Sequence, residues 1–204
     1  MKNLDTKRTA FVGLLSALGI VLSAISLNIA PIVGNAAFDL SHIATFIAAI
    51  FGGPIAGATV GLLGGLYAGY HFGFVYGQGP IALIATPIGK AMTGLTAGLL
   101  YKKLRIASGS GRSVWVVPAT LVAYIPECIF TILYFLYIAP FVLGHELAFV
   151  SVPVVIAKAW IEIIVMSIIM GALAGNAGFK EFIKRFLHVH EPRKSMETSV
   201  EKQL

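Results

Sequence analysis

Charge is scarce in this sequence. Asp, Glu, Lys and Arg make up 12% of its 204 residues, about half the share found in soluble globular domains. Apolar residues make up 57%, and the mean hydropathy is +0.87. Cysteine is nearly absent. The single Cys128 excludes an internal disulfide framework and a cysteine-built metal site, and reads as a small packing residue in a helix. Catalytic signatures are missing too: there is no Gly-x-Ser-x-Gly elbow, no His-Glu-x-x-His, no Gly-x-x-x-x-Gly-Lys-Ser/Thr and no dense acidic cluster. No enzyme activity and no cofactor are therefore expected. His42, His71 and His145 lack helical ligand spacing, and His188 and His190 lie in a polar tail, so no metal site is expected either.

What is there is lipid-compatible. The chain has room for about six crossings of roughly 20 residues with short loops. Its net charge of +6 does not describe a nucleic-acid surface, because the basic residues are segregated. Lys2, Lys7 and Arg8 precede the first apolar run, Lys102, Lys103, Arg105 and Arg112 fill one break, and the tail after Phe179 carries most of the rest. The breaks Asn28–Ala37, His71–Gly79 and Gly144–Ser151 contain no Lys or Arg. By the positive-inside rule both termini are cytoplasmic. The apolar run from Thr9 to Leu27 is long for a signal peptide and has no clear cleavage site after it, so it reads as a retained helix.

Hydrophobic runs place helices at about 9–28, 38–52, 54–70, 80–101, 114–142 and 152–177. The expected fold is an all-α integral membrane protein, a multi-pass bundle of six transmembrane helices. Residues 1–8 form a cytoplasmic N-terminus, 9–178 the membrane domain, and 179–204 a basic, polar cytoplasmic tail with Lys184 and Arg185 at the inner leaflet. The second and third helices meet at Gly52-Gly53-Pro54, and the third carries glycines at 57, 61, 65 and 69. That spacing makes one stripe along which helix backbones approach closely. Small residues also crowd the first helix, among them Gly13, Ala17, Gly19 and Ser23. They cover more than one stripe, so one face is free for an external partner helix.

Ionisable side chains inside lipid cost several kcal/mol and are functional candidates by default. Lys90, Glu127, Lys158 and Glu162 fall within apolar runs, and Asp39 and His42 open the second. Lys158 and Glu162 are four residues apart on one helix face; a structural ion pair is the alternative to a binding role for them. Lys90 shares its face with Thr86 and Thr93, and Glu127 shares its face with Tyr124, Thr131 and Tyr134. Pro87 and Pro126 stand just before the two charges, and a helix interrupted beside a charge is a common way to build a polar site in lipid. Merely bending the helix is the other use of each proline. Near the basic-free loops, Asn35, Tyr70, His71 and Gln78 are candidates to stack on a ligand or hydrogen-bond it, against their alternative use as an interfacial belt.

Taken in order, Phe38-Asp-Leu-Ser-His42, Gly53-Pro-Ile-Ala-Gly57 with Gly61, and Gly94-Leu-Thr-Ala-Gly-Leu-Leu-Tyr-Lys-Lys103 resemble the substrate-binding S component of an energy-coupling factor (ECF) vitamin transporter, over roughly residues 8–178. The resemblance implies a cell-membrane protein that captures a vitamin or related micronutrient from outside. It also implies partners, a transmembrane T component and two ATPase subunits, with no nucleic acid involved. On helix 1, Gly13 with Ala17 and Gly19 with Ser23 are the nearest matches to the family's docking pattern. Two inward lysines suggest a carboxylate-bearing vitamin, since a buried ammonium needs an anionic partner; the glutamates could instead neutralise them or meet a cationic ligand. The rival readings are a self-sufficient oligomeric secondary transporter or channel subunit, a membrane enzyme of unfamiliar type, and an accessory subunit.

Overall fold

The computed structural model describes residues 2–29, 31–32, 36–37, 39–108 and 112–187. Asn35 and the last 17 residues of the tail, with His188 and His190, lie outside them. The architecture is all-α. A long α1 (Lys2–Ile29) leads to a two-residue antiparallel ribbon that pairs Pro31 with Ala37 and Ile32 with Ala36. Then follow α2 (His42–Gly52), α3 (Pro54–Tyr70) running on into a π turn (His71–Val75), and α4 (Ala82–Lys103). The run α5 (Val116–Ala123), α6 (Ile125–Leu133), a second π turn (Tyr134–Ile138) and α7 (Pro140–Leu143) precedes the 31-residue α8 (His145–Gly175) and a final α9 (Ala177–Leu187).

Four stretches among the described residues are long and apolar enough to cross a membrane: Thr6–Asn28, Ala82–Lys103, Ser113–Ile138 and Phe149–Gly175. α2, at 11 residues, is about 16 Å long and falls short of a bilayer core by itself. The surface supports the same reading. Leu14, Leu66, Leu99, Ile129, Ile161 and Ile168 are exposed, whereas Asp39, His42, Lys90, Glu127 and Glu162 are buried. A soluble fold would distribute them the other way.

Local chemistry explains the element boundaries. Gly53 takes φ 85° between α2 and α3, a left-handed conformation suited to glycine, and Pro54 opens α3 where no amide hydrogen is needed. Pro126 uses the same allowance after a break at Tyr124. The expected break at Gly144–Ser151 is smaller than the sequence suggests: Gly144, at φ 81°, is the whole turn, and α8 starts at His145.

The glycine stripe of α3 lies on α4. A Cβ at Gly57 would strike the Gly94 carbonyl oxygen, and one at Gly61 would strike the Lys90 carbonyl. Near the other end of α4, the buried Tyr101 hydroxyl meets the Thr120 hydroxyl of α5 at 2.5 Å, a polar tie of the kind that holds helices together in lipid. The main apolar core gathers Phe46, Val60, Ile163, Met166 and Met170 around this junction.

α9 departs from the sequence expectation, which makes that segment part of a polar tail. Its Phe179 packs edge-on against Phe51 of α2 and its Phe186 against Phe11 of α1, with ring centroids 6.0 and 6.2 Å apart. Ile183 between them is buried, while Glu181 and Arg185 pair at 3.0 Å on an exposed face.

Candidate functional site

The polar residues converge. Asp39, just before α2, sends Oδ2 to Lys90 Nζ of α4 at 2.8 Å, and its Oδ1 accepts the Ser41 amide at 2.9 Å. Lys90 also donates to the Ser41 hydroxyl at 2.7 Å. The Asp39 amide donates to Glu162 Oε1 of α8 at 2.5 Å, and the same oxygen takes Lys158 Nζ at 2.9 Å. Glu127 of α6 accepts the Thr93 hydroxyl through Oε2 at 2.5 Å, while its Oε1 faces His42 Nε2 at 3.5 Å. Asp39, Ser41, Lys90, Glu162 and Lys158 thus form one chain of contacts, and Glu127, His42 and Thr93 form a second beside it; together they draw on α2, α4, α6 and α8.

These groups wall a cavity of about 110 Å³. Phe72, Tyr124, Phe130, Tyr134 and Phe135 supply aromatic surface, and Gln78 of the α3–α4 loop reaches its lining. Two buried polar atoms in residues of this wall, His42 Nδ1 and Tyr134 Oη, have no hydrogen-bond partner among the described residues. Such atoms are costly in a closed interior and are natural contacts for a ligand. Glycines make room for the charges. A Cβ at Gly65 would sit 2.8 Å from Lys90 Cδ, and one at Gly89 would sit 3.2 Å from Glu127 Cγ.

Not every candidate joins the site. His71 is buried, but in a neighbouring aromatic group, stacked on Tyr67 and edge-on to Tyr76. Tyr70 is 51% exposed and leans on Phe74. Neither lines the cavity. The helix-1 residues divide as well. Gly13 and Ala17 are exposed, and a Cβ on Gly13 would meet nothing within 4 Å. Gly19 packs on the Gly64 backbone of α3, and Ser23 is fully buried, so those two serve internal packing rather than an outer face. Sequence reasoning missed Ser41, Phe72, Phe130 and Phe135. Ser41 had a signal, its place between Asp39 and His42; the phenylalanines, in a chain this apolar, had none.

Both lysines find carboxylate partners inside the protein. Asp39 meets Lys90, and Glu162 meets Lys158.

Residues 7–174 match the family described as the substrate-specific component of ECF transporters. This chain belongs to that family. No curated protein matches it. A solved structure, described as "Structure and mechanism of the S component of a bacterial ECF transporter", is similar in fold, with a TM-score of 0.53 and 24% identity over 83% of this chain and 92% of that one. α9 begins beyond the matched residues, so the S component carries its family-defining part in α1–α8.

Proposed function

We propose that this S component is the substrate-capture subunit of an ATP-driven importer for a vitamin or related micronutrient, working in the cell membrane. In this reading α2 and α3 complete a six-crossing bundle with the four longer spans, both termini are cytoplasmic, and the cavity opens to the outside. A transmembrane T component and two ATPase subunits supply the energy. The observation that carries the reading is the charge-lined, aromatic-walled cavity in a protein whose outer surface is apolar. Such a cavity is costly to maintain in lipid unless something is bound there.

The test is reconstitution. Vesicles containing the S component alone should retain substrate without accumulating it. Vesicles that also contain the T component and both ATPases should accumulate it only with ATP inside the compartment that houses the ATPases. Gradient-driven accumulation by the chain alone would transfer the reading to a secondary transporter.

The exposed face of α1 gives a second test. Gly13 and Ala17 form a small-residue strip that a partner helix can approach closely. Gly13→Leu and Ala17→Leu should each leave the purified subunit folded, because both positions are open. They should weaken co-purification with the T component by roughly tenfold or more. Unchanged co-purification would remove α1 from the interface.

A further inference from the structure

Two deeply buried tyrosines differ in what their hydroxyls meet. Tyr101, 1% exposed, shares a 2.5 Å hydrogen bond with Thr120. Tyr134, 5% exposed, lines the cavity, and its Oη has no hydrogen-bond partner among the described residues. A buried phenol normally finds a partner, because an unmet hydroxyl has given up water for nothing.

The ring of Tyr134 is nonetheless firmly placed. Its backbone opens the second π turn, which the Ala139 amide closes by donating to the Tyr134 carbonyl at 2.8 Å. The extra residue of such a turn shifts the helical phase, and these turns gather at functional sites. Here the consecutive Tyr134 and Phe135 are both buried and both on the cavity wall. Phe135 stands edge-on to Tyr134 with ring centroids 5.3 Å apart, and Ile81, Ala85, Val152 and Val155 pack against the pair. A fixed ring with an unmet hydroxyl is a group positioned in advance for a ligand.

The wall holds a second atom of this kind on another element, His42 Nδ1 of α2. It accepts or donates according to where the imidazole carries its proton, and a phenol does either, so the need for a partner does not depend on the charge of His42. The charged groups of the wall face one another instead: Asp39 meets Lys90, Glu162 meets Lys158, and Glu127 faces His42 Nε2. What the wall leaves open is hydrogen bonding.

We infer that Tyr134 is a specificity-determining residue, whose hydroxyl reads a hydrogen-bonding group on the edge of a small flat ring. Phe72, Phe130 and Phe135 supply apolar faces for that ring. The cavity, about 110 Å³, is on the scale of one ring. A ring that lacks the group leaves the phenol buried and unpaired in the complex too, and is rejected for that reason. The inference rests on the capture function proposed above and names how that function selects its substrate.

Benzamide and fluorobenzene offer one ring with and without a group that donates and accepts. Saturation-transfer NMR titrations of the purified full-length protein in detergent, wild type against Tyr134→Phe, give a ratio for each probe in which partition into micelles cancels. Tyr134→Phe should weaken benzamide roughly tenfold or more and bind fluorobenzene no worse than wild type does. Equal losses for both probes, no loss for benzamide, or no binding of benzamide to wild type overturns the inference; capture itself is judged separately, by accumulation in the vesicles described above. Thermal melts without ligand test the unmet hydroxyl directly. Tyr134→Phe should melt at or above wild type, whereas Tyr101→Phe, which loses the bond to Thr120, should melt about 2–4 °C lower. A Tyr134→Phe protein that melts well below wild type, or fails to fold, shows that the hydroxyl is held within the protein and overturns the inference.

Discussion

Lys90→Met is expected to destabilise the protein by about 3–5 kcal/mol, the usual result of breaking a buried ion pair from one side. Methionine nearly matches the lysine stem in length, so the loss is electrostatic rather than steric. Asp39 would be left buried with the Ser41 amide as its remaining donor to the carboxylate, and the Ser41 hydroxyl would lose its own bond from Lys90. The double variant Asp39→Asn/Lys90→Met removes both charges and should recover most of the loss, because a neutral pair of similar volume is often no worse than the ions. Reversible unfolding in mixed micelles reads both numbers. A single variant costing under about 1 kcal/mol, or a double variant as unstable as the single, would show that the Asp39–Lys90 contact is not a closed internal pair. The outcome also bears on the substrate. A Lys90 held this firmly by Asp39 has little affinity left for an anionic ligand.

Much of this site was legible because charge is so scarce here. In a soluble chain Lys90 or Glu162 would be one surface residue among many; in a sequence with so few charges each buried one needs a reason. Helical spacing then puts Lys158 beside Glu162, and the structure closes that pair at 2.9 Å. Partner choice across helices was not legible. Whether Lys90 meets Asp39, Glu127 or Glu162 depends on helix rotation and separation, which no local pattern encodes. From sequence, therefore, Lys90 has no evident partner, and three-dimensional packing supplies Asp39. The α1 small residues show the same limit: spacing identifies the stripes, but only packing against Gly64 separates Gly19 from the outward Gly13. α9 escaped notice for a different reason. Phe179, Phe182, Ile183, Phe186 and Leu187 recur at helical spacing, but the lysines and glutamate around them give the segment the composition of a tail.

Gly94→Leu should have the largest effect of any single change considered, abolishing recovery of monodisperse protein. The α3 and α4 backbones touch at Gly57 and Gly94, where a Cβ on either residue would collide with the main chain of the other. A side chain there cannot be absorbed by moving a neighbouring side chain; the helices themselves must separate. Ordinary overpacking costs about 1–3 kcal/mol, and Gly94→Ala should fall at or above the top of that range, since the clash is with backbone. Separation would also propagate to the cavity, because Lys90 stands one helical turn from Gly94 and its carbonyl faces Gly61 across the same seam. The control is Gly13→Leu, which adds the same side chain at a glycine with nothing within 4 Å and should purify with a melting temperature near wild type. Size-exclusion profiles and thermal melts of the two leucine variants decide the matter. If Gly94→Leu behaves like Gly13→Leu, the glycine stripe is not what holds α3 against α4, and the placement of Lys90 in the wall needs another cause.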